Sequence, residues 1–154
     1  MIDLEAICDA LALRFEPGTI GTPSGGPAMR EVYSESPKSV PTVPAVLLEV
    51  QDGTLVASPG QWKHEISIDV LFLLSKRPAD PVRVETNRRK WLPYLLQATV
   101  GQMKLGLGGA SGYSVDKAIP ISWEFTEFDV ADVTFDAIRV RYVAYVTESV
   151  TLTP

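Results

Sequence analysis

The alternation of apolar and polar positions is clearest from Trp62 to Leu74. Trp62, His64, Ile66, Ile68, Val70, Phe72 and Leu74 occupy the even positions, and Lys63, Glu65, Ser67 and Asp69 begin the odd ones. A period of two is the signature of a strand that buries one face. From Leu71 the odd face turns apolar as well, so this strand is expected to start half solvated and to end covered on both sides, as a central strand does where a helix crosses its far end. Two more alternations predict a hairpin. Ala118–Phe128 puts Ile119, Ile121, Trp123 and Phe125 on one face and Ser122, Glu124 and Thr126 on the other. Beyond an acidic turn at Asp129–Asp132, Val133–Glu148 sets Ile138, Val140, Tyr142, Ala144 and Val146 against Arg139 and Arg141. Ala45–Val50, apolar and bounded by Pro44 and Asp52-Gly53, reads as another strand, and Met29–Tyr33 as a short one. Gln51–Gln61 then links to the central strand either as a hairpin with a ragged tip or as a protruding loop.

Two segments carry helical spacing instead. Leu4, Ile7, Cys8, Leu11 and Phe15 form an apolar stripe with Asp3 placed as N-cap, and Pro17-Gly18 ends that helix. Asp80 followed by Pro81 is a second helix start, with Val84, Trp91, Leu92, Leu95 and Leu96 as its stripe up to about Gln97 or Val100. Pro93 falls inside it and is expected to kink it or split it, because proline removes a backbone donor. Between the elements lie Gly18–Ala28, Ser34–Pro44 and the glycine-rich Gly101–Asp116, read as long loops and candidate contact arms. The order helix, strands, helix, hairpin predicts one α+β domain over residues 1–154: an antiparallel or mixed β-sheet of about four to five strands packed by two main α-helices, with long loops.

Composition narrows the class of protein. A chain of 154 residues is large enough to bury roughly 70% of its unfolded surface without a disulfide or metal. Its single cysteine, Cys8, excludes an intrachain disulfide. The start Met1-Ile2-Asp3-Leu4-Glu5 is acidic where a signal peptide is basic, and the longest apolar run, Val70–Leu74, is far short of a membrane span, so a cytoplasmic product with no membrane partner is expected. A formal charge of −5 argues against general nucleic-acid binding.

No catalytic constellation emerges. His64 has no metal-ligating or nucleophilic companion and reads as structural, and Cys8 reads as core. The run Gly106-Leu107-Gly108-Gly109-Ala110-Ser111 lacks the last glycine of a nucleotide fingerprint and follows a helix, not a strand. No cofactor is expected. Charge distribution says more: Lys76, Arg77, Arg83, Arg88, Arg89 and Lys90 make a basic run, and Glu124, Glu127, Asp129, Asp132 and Asp136 an acidic one. These are either two solvated faces or, if they lie on different sides of the domain, the two halves of a head-to-tail contact between copies, which closes into a ring if the rotation allows.

The ordered set Asp3-Leu4-Glu5-Ala6-Ile7, Val46–Glu49, Pro59-Gly60-Gln61, Trp91-Leu92-Pro93, Ser122-Trp123-Glu124 and Phe135-Asp136-Ala137-Ile138-Arg139 resembles the small tail terminator, or tail completion, proteins of long-tailed (siphovirus-type) bacteriophages. The resemblance implies a structural virion protein without catalytic residues, assembled in the host cytoplasm and located at the head–tail junction. Such a subunit forms a hexameric ring on the tail tube, stops tube polymerisation and offers its other face to the head-side connector, while DNA passes through the lumen without sequence-specific binding. In that setting the two charge runs are the candidate subunit interface, and Thr19, Ser24, Pro37, Lys38, Thr54, Leu55, Gln61, Lys104, Leu107 and Tyr113 are candidate contacts to tube or connector. The acidic hairpin turn either faces the lumen or meets the basic helix of the next subunit. The alternatives are another neck, connector or minor tail protein of the same virion and, in a different class, a small-ligand binding or hydrolytic domain with its pocket under Gly101–Asp116 and His64 nearby.

Overall fold

A computed structural model of the chain describes residues 1–109 and 111–151. Ala110 of the glycine-rich run and residues 152–154 of the expected domain lie outside the described residues. The chain begins with α1 (Leu4–Leu13), whose N-cap Asp3 accepts a hydrogen bond from the Ala6 N–H at 3.0 Å. A one-turn helix, α2 (Pro17–Ile20), follows, so Pro17 opens a new turn at its favoured first position where a loop is expected. Then come β1 (Glu31–Tyr33), β2 (Ala45–Ser58), β3 (Gln61–Lys76), α3 (Pro81–Leu96), β4 (Tyr113–Val130) and β5 (Val133–Ser149). Asp80 caps α3 by accepting from the Val82 N–H at 3.0 Å, and Pro93 sits inside α3 as one continuous helix, not two pieces.

The strands form one sheet in the order β1-β2-β3-β5-β4, with β1 parallel to β2 and every other pair antiparallel. The α+β class, the mixed sheet and the central place of the Trp62–Leu74 strand all match the alternation that predicts them. One face carries the main core. Ile7, Leu11 and Phe15 from the α1 region and Trp91 and Leu95 from α3 pack on Ile68, Val70, Phe72, Ile138, Val140 and Tyr142. Each such side chain contributes about 1.5–3 kcal/mol by leaving water. Phe72 and Trp91 stack with centroids 4.8 Å apart, and the Tyr142 hydroxyl donates to the Leu95 carbonyl.

The opposite face is apolar only at one end, where Ala45, Leu47, Leu71, Leu73, Phe135 and Ala137 join Val40 and Val130. The cover there is the Ser34–Pro44 segment, not a helix, with Val40 5% exposed. That segment is thus largely a lid on the second core, a role its single buried valine does not advertise in the sequence. Farther along the same face Asp69, 3% exposed, is held by Arg141 at 2.9 Å and Arg139 at 3.6 Å.

Two connections are more ordered than their composition predicts. Gln51–Gln61 is a regular hairpin: β2 pairs with β3 out to Ser58↔Gln61 after a bulge at Gln51. Pro59-Gly60 closes it, Gly60 taking φ +80° as the third position of a type II turn requires. β4 starts at Tyr113 instead of Ala118, and the Gly101–Asp116 segment is tied to it by Ala118 N–H to Met103 O (2.7 Å), Val115 N–H to Leu107 O (2.9 Å) and Thr99 Oγ1 to Ala118 O (2.8 Å). No helix among the described residues is long and apolar enough to cross a membrane.

Candidate assembly surfaces

The two charge runs meet inside one chain. Lys76 ends β3 and Arg77 follows it, while Arg83, Arg88, Arg89 and Lys90 project from α3. Glu124, Glu127 and Asp129 lie on β4, Asp132 in the β4–β5 turn and Asp136 on β5. Because the β3 terminus, α3 and this hairpin converge at one end of the sheet, Arg77 pairs with Glu127 at 2.7 Å and with Asp136 at 3.0 Å, and Arg88 stands 3.9 Å from Asp136. Arg89 pairs with Glu85 one helical turn away, and Glu124 with Arg139 across the strands. Asp129 accepts from the Thr134 hydroxyl at 2.6 Å. An open cleft of about 800 Å³ lies at this junction, lined by Arg77, Pro81, Val84, Arg88, Asp132 and Asp136 among others.

This corrects the expectation that the runs lie on different sides of the domain. Arg77, Arg88, Glu127 and Asp136 neutralise one another at home, and Asp136 is 3% exposed. A smaller set stays exposed and outside any ion pair among the described residues: Lys76, Arg83 and Lys90 on the basic side, and Asp129 and Asp132 on the acidic side. Lys76 Nζ donates to the Pro41 carbonyl and Lys90 Nζ to the Ser24 carbonyl, each at 3.2 Å.

The expected contact residues divide likewise. Thr19, Ser24, Lys38, Thr54, Leu55, Gln61 and Lys104 are exposed, and Pro37 is half-buried. Thr54, Leu55 and Gln61 stand on the paired strands of the β2–β3 hairpin, not on a loop. Tyr113 is 6% exposed and part of the main core, and Leu107 packs against that core. Tyr113 is therefore not available as a contact, and Leu107 is half-buried.

His64 lies on β3 with Nε2 3.0 Å from Glu148 Oε1, and Glu148 also accepts from the Ile2 N–H at 2.7 Å. The hydrogen bond with His64, helped by that from Ile2, holds the Glu148 carboxyl below its ordinary value against the opposing effect of burial. This cluster ties the start of the chain to β3 and β5. Cys8 is buried, and burial, with Asp9 adding to it, pushes its thiol up, so it stays protonated.

The residues that sequence reasoning misplaces are on β4. Its alternation predicts a buried face of Ile119, Ile121, Trp123 and Phe125, yet bulges at Asp116 and Ile121 break the register. Ile119 pairs with Val143 on one face, while Trp123 and Phe125 pair with Val140 and Ile138 on the other. A bulge adds one unpaired residue and so exchanges the faces beyond it. Ile121, Trp123 and Phe125 remain 53%, 49% and 37% exposed because β4 is an edge strand. Pro120 is the signal that identifies the edge, since proline inside a strand is confined to edges and bulges. No known protein family matches this sequence, and no curated protein matches it.

Proposed function

We propose that the chain is a ring-forming structural protein of a long-tailed phage, the tail terminator that caps the tail tube, stops its growth and joins it to the head-side connector. The observation that carries this reading is the β2–β3 hairpin. Every residue from Val50 to Gln61 is exposed although the segment is regular, paired β-structure. Its side chains include Val50, Leu55 and Val56, 44%, 49% and 68% exposed. An ordered arm with apolar side chains and no packing role in its own chain is a surface built for a partner. A cap on a tubular polymer needs such an arm to grip the last ring and a head-to-tail joint to close its own ring.

The reading is tested by native mass across a concentration series at low salt, followed by addition of the protein to growing tubes of its own phage. A species of about six subunits, as expected for cyclic heterologous association, together with arrest of tube growth supports it. A chain that stays a single subunit both alone and on tube ends, and leaves tube length unchanged, removes it.

A further inference from the structure

The outer side of β4 carries core-type residues that its own chain leaves uncovered. Trp123 and Phe125 share the face that α3 packs, but α3 seats Trp91 over Phe72 of β3 and reaches Phe125 of β4 with Arg88, whose guanidinium carbon lies 5.1 Å from that ring centre. The two aromatic rings stand 5.2 Å apart, with Ile121 at the adjoining bulge. Aromatic side chains half-buried at an unpaired sheet edge have the composition of an interface centre. Asp129 and Asp132, at the turn end of the same edge, have no cation partner among the described residues.

The complementary surface lies on the flank of α3 turned away from β4. Lys90 reaches the Ser24 carbonyl, and Arg83 lines a cleft with Gly25 and Pro27, all in the segment before β1. A carbonyl oxygen leaves the Lys90 charge uncompensated. β1 and β4 are the opposite edges of the sheet, and on the face that α3 packs the apolar, acidic side lies toward β4, whereas Arg83 and Lys90 turn toward the segment before β1. Unlike surfaces on opposite flanks suit a repeating head-to-tail contact better than a two-fold one.

We propose that the outer side of β4, centred on Trp123 and Phe125 and flanked by Asp129 and Asp132, docks against the Arg83 and Lys90 side of α3 in a second copy of this chain. The joint rests on the ring reading above and gives that ring its contact. The aromatic pair supplies the buried centre, and the charges fix orientation and speed encounter.

The test uses two single-cysteine-addition proteins, Trp123→Cys and Lys90→Cys, mixed and treated with a short bismaleimide; Cys8 is buried and unreactive in both. Crosslinked pairs joining position 123 of one protein to position 90 of the other should exceed both like-with-like pairs. In parallel, Trp123→Glu with Phe125→Glu, both at exposed positions, should raise the concentration at which oligomers form by roughly thirtyfold or more, the loss expected of an aromatic hot spot, with an unchanged circular dichroism spectrum. Dominant 123-to-123 pairs would mean a two-fold contact and overturn the joint. Oligomers that form normally with neither crosslink place the joint elsewhere and leave the ring reading standing. Wild-type protein that remains a single subunit, with or without tube ends, overturns both.

Discussion

Arg77 Nε lies 3.0 Å from Asp136 Oδ1 and joins the end of β3 to β5 within one chain. Ser75 Oγ donates to the same carboxylate at 3.2 Å, and Arg88 stands within 3.9 Å. The end of the acidic run is therefore part of the fold and not of any surface. This changes what charge reversal reports: a variant at Asp136 perturbs the subunit itself, whereas one at Asp132 perturbs only what the subunit meets.

Asp136→Asn should accordingly destabilise the monomer. The carboxylate is nearly inaccessible, but the Arg77 side chain is 46% exposed, so water recovers part of the lost interaction. The expected loss is about 1.5–3 kcal/mol, typical of a hydrogen bond to a charged group, read as a lower urea midpoint at unchanged slope. Asp132→Asn should leave the midpoint where it is. Equal midpoints for Asp136→Asn and wild type would show the pairing to be energetically idle.

The sheet's centre, its α+β class, both principal helices and their N-caps were legible in the sequence, because period two, period 3.6 and capping chemistry are local signals. The extent of β2 was not. Beyond Val50 it has neither face buried, so no alternation exists to be read, and the strand is held by its pairing with β3 alone. The faces of β4 were illegible for a different reason. One inserted residue at Ile121 exchanges inside and outside, and only the partner strand reveals the insertion. The charge runs were found, but their convergence depends on where α3 lands on the sheet, a tertiary fact.

Glu148 makes stability depend on acid. Its folded carboxyl is held below the ordinary glutamate value of 4.5, first by the hydrogen bond with His64. A depressed carboxyl contributes stability that is fully present above its unfolded value and is lost as pH falls through its folded value. His64→Ala should therefore move the acid unfolding midpoint to higher pH and lower the stability at pH 7 by about 0.5–1.5 kcal/mol. Urea titrations between pH 7 and pH 3 measure both. An acid limb identical to wild type would mean that the His64 bond does not hold the carboxyl down.

Pro93 opens the last turn of α3, where it can donate no hydrogen bond to the preceding turn, and its side chain is exposed. Because α3 continues to Leu96 despite it, the backbone already suits another residue. Pro93→Ala should raise stability by about 1–3 kcal/mol, up to the interior-helix difference between the two residues. Thermal unfolding checks this. A lower midpoint would show that the proline ring's contacts with the Thr19 and Ile20 region, which share a shallow pocket with it, outweigh the missing bond.

The exposed hairpin allows function to be separated from folding. Leu55 faces the same side as His64, its cross-strand partner, and Val56 the side of Lys63, so the arm presents apolar groups on both of its faces. Neither residue belongs to a core cluster. Leu55→Asp with Val56→Asp should thus change stability by less than about 0.5 kcal/mol each, as for surface substitutions, and should leave ring formation through β4 intact. Arrest of tube growth, by contrast, should be lost, because two charges replace the apolar contacts the arm makes with its partner. Tube lengths measured with wild-type and variant protein at equal ring concentration decide it. A variant that still stops growth at wild-type dose would assign the arm to the connector side of the ring, whereas loss of the ring itself would move the subunit contact from β4 to the hairpin.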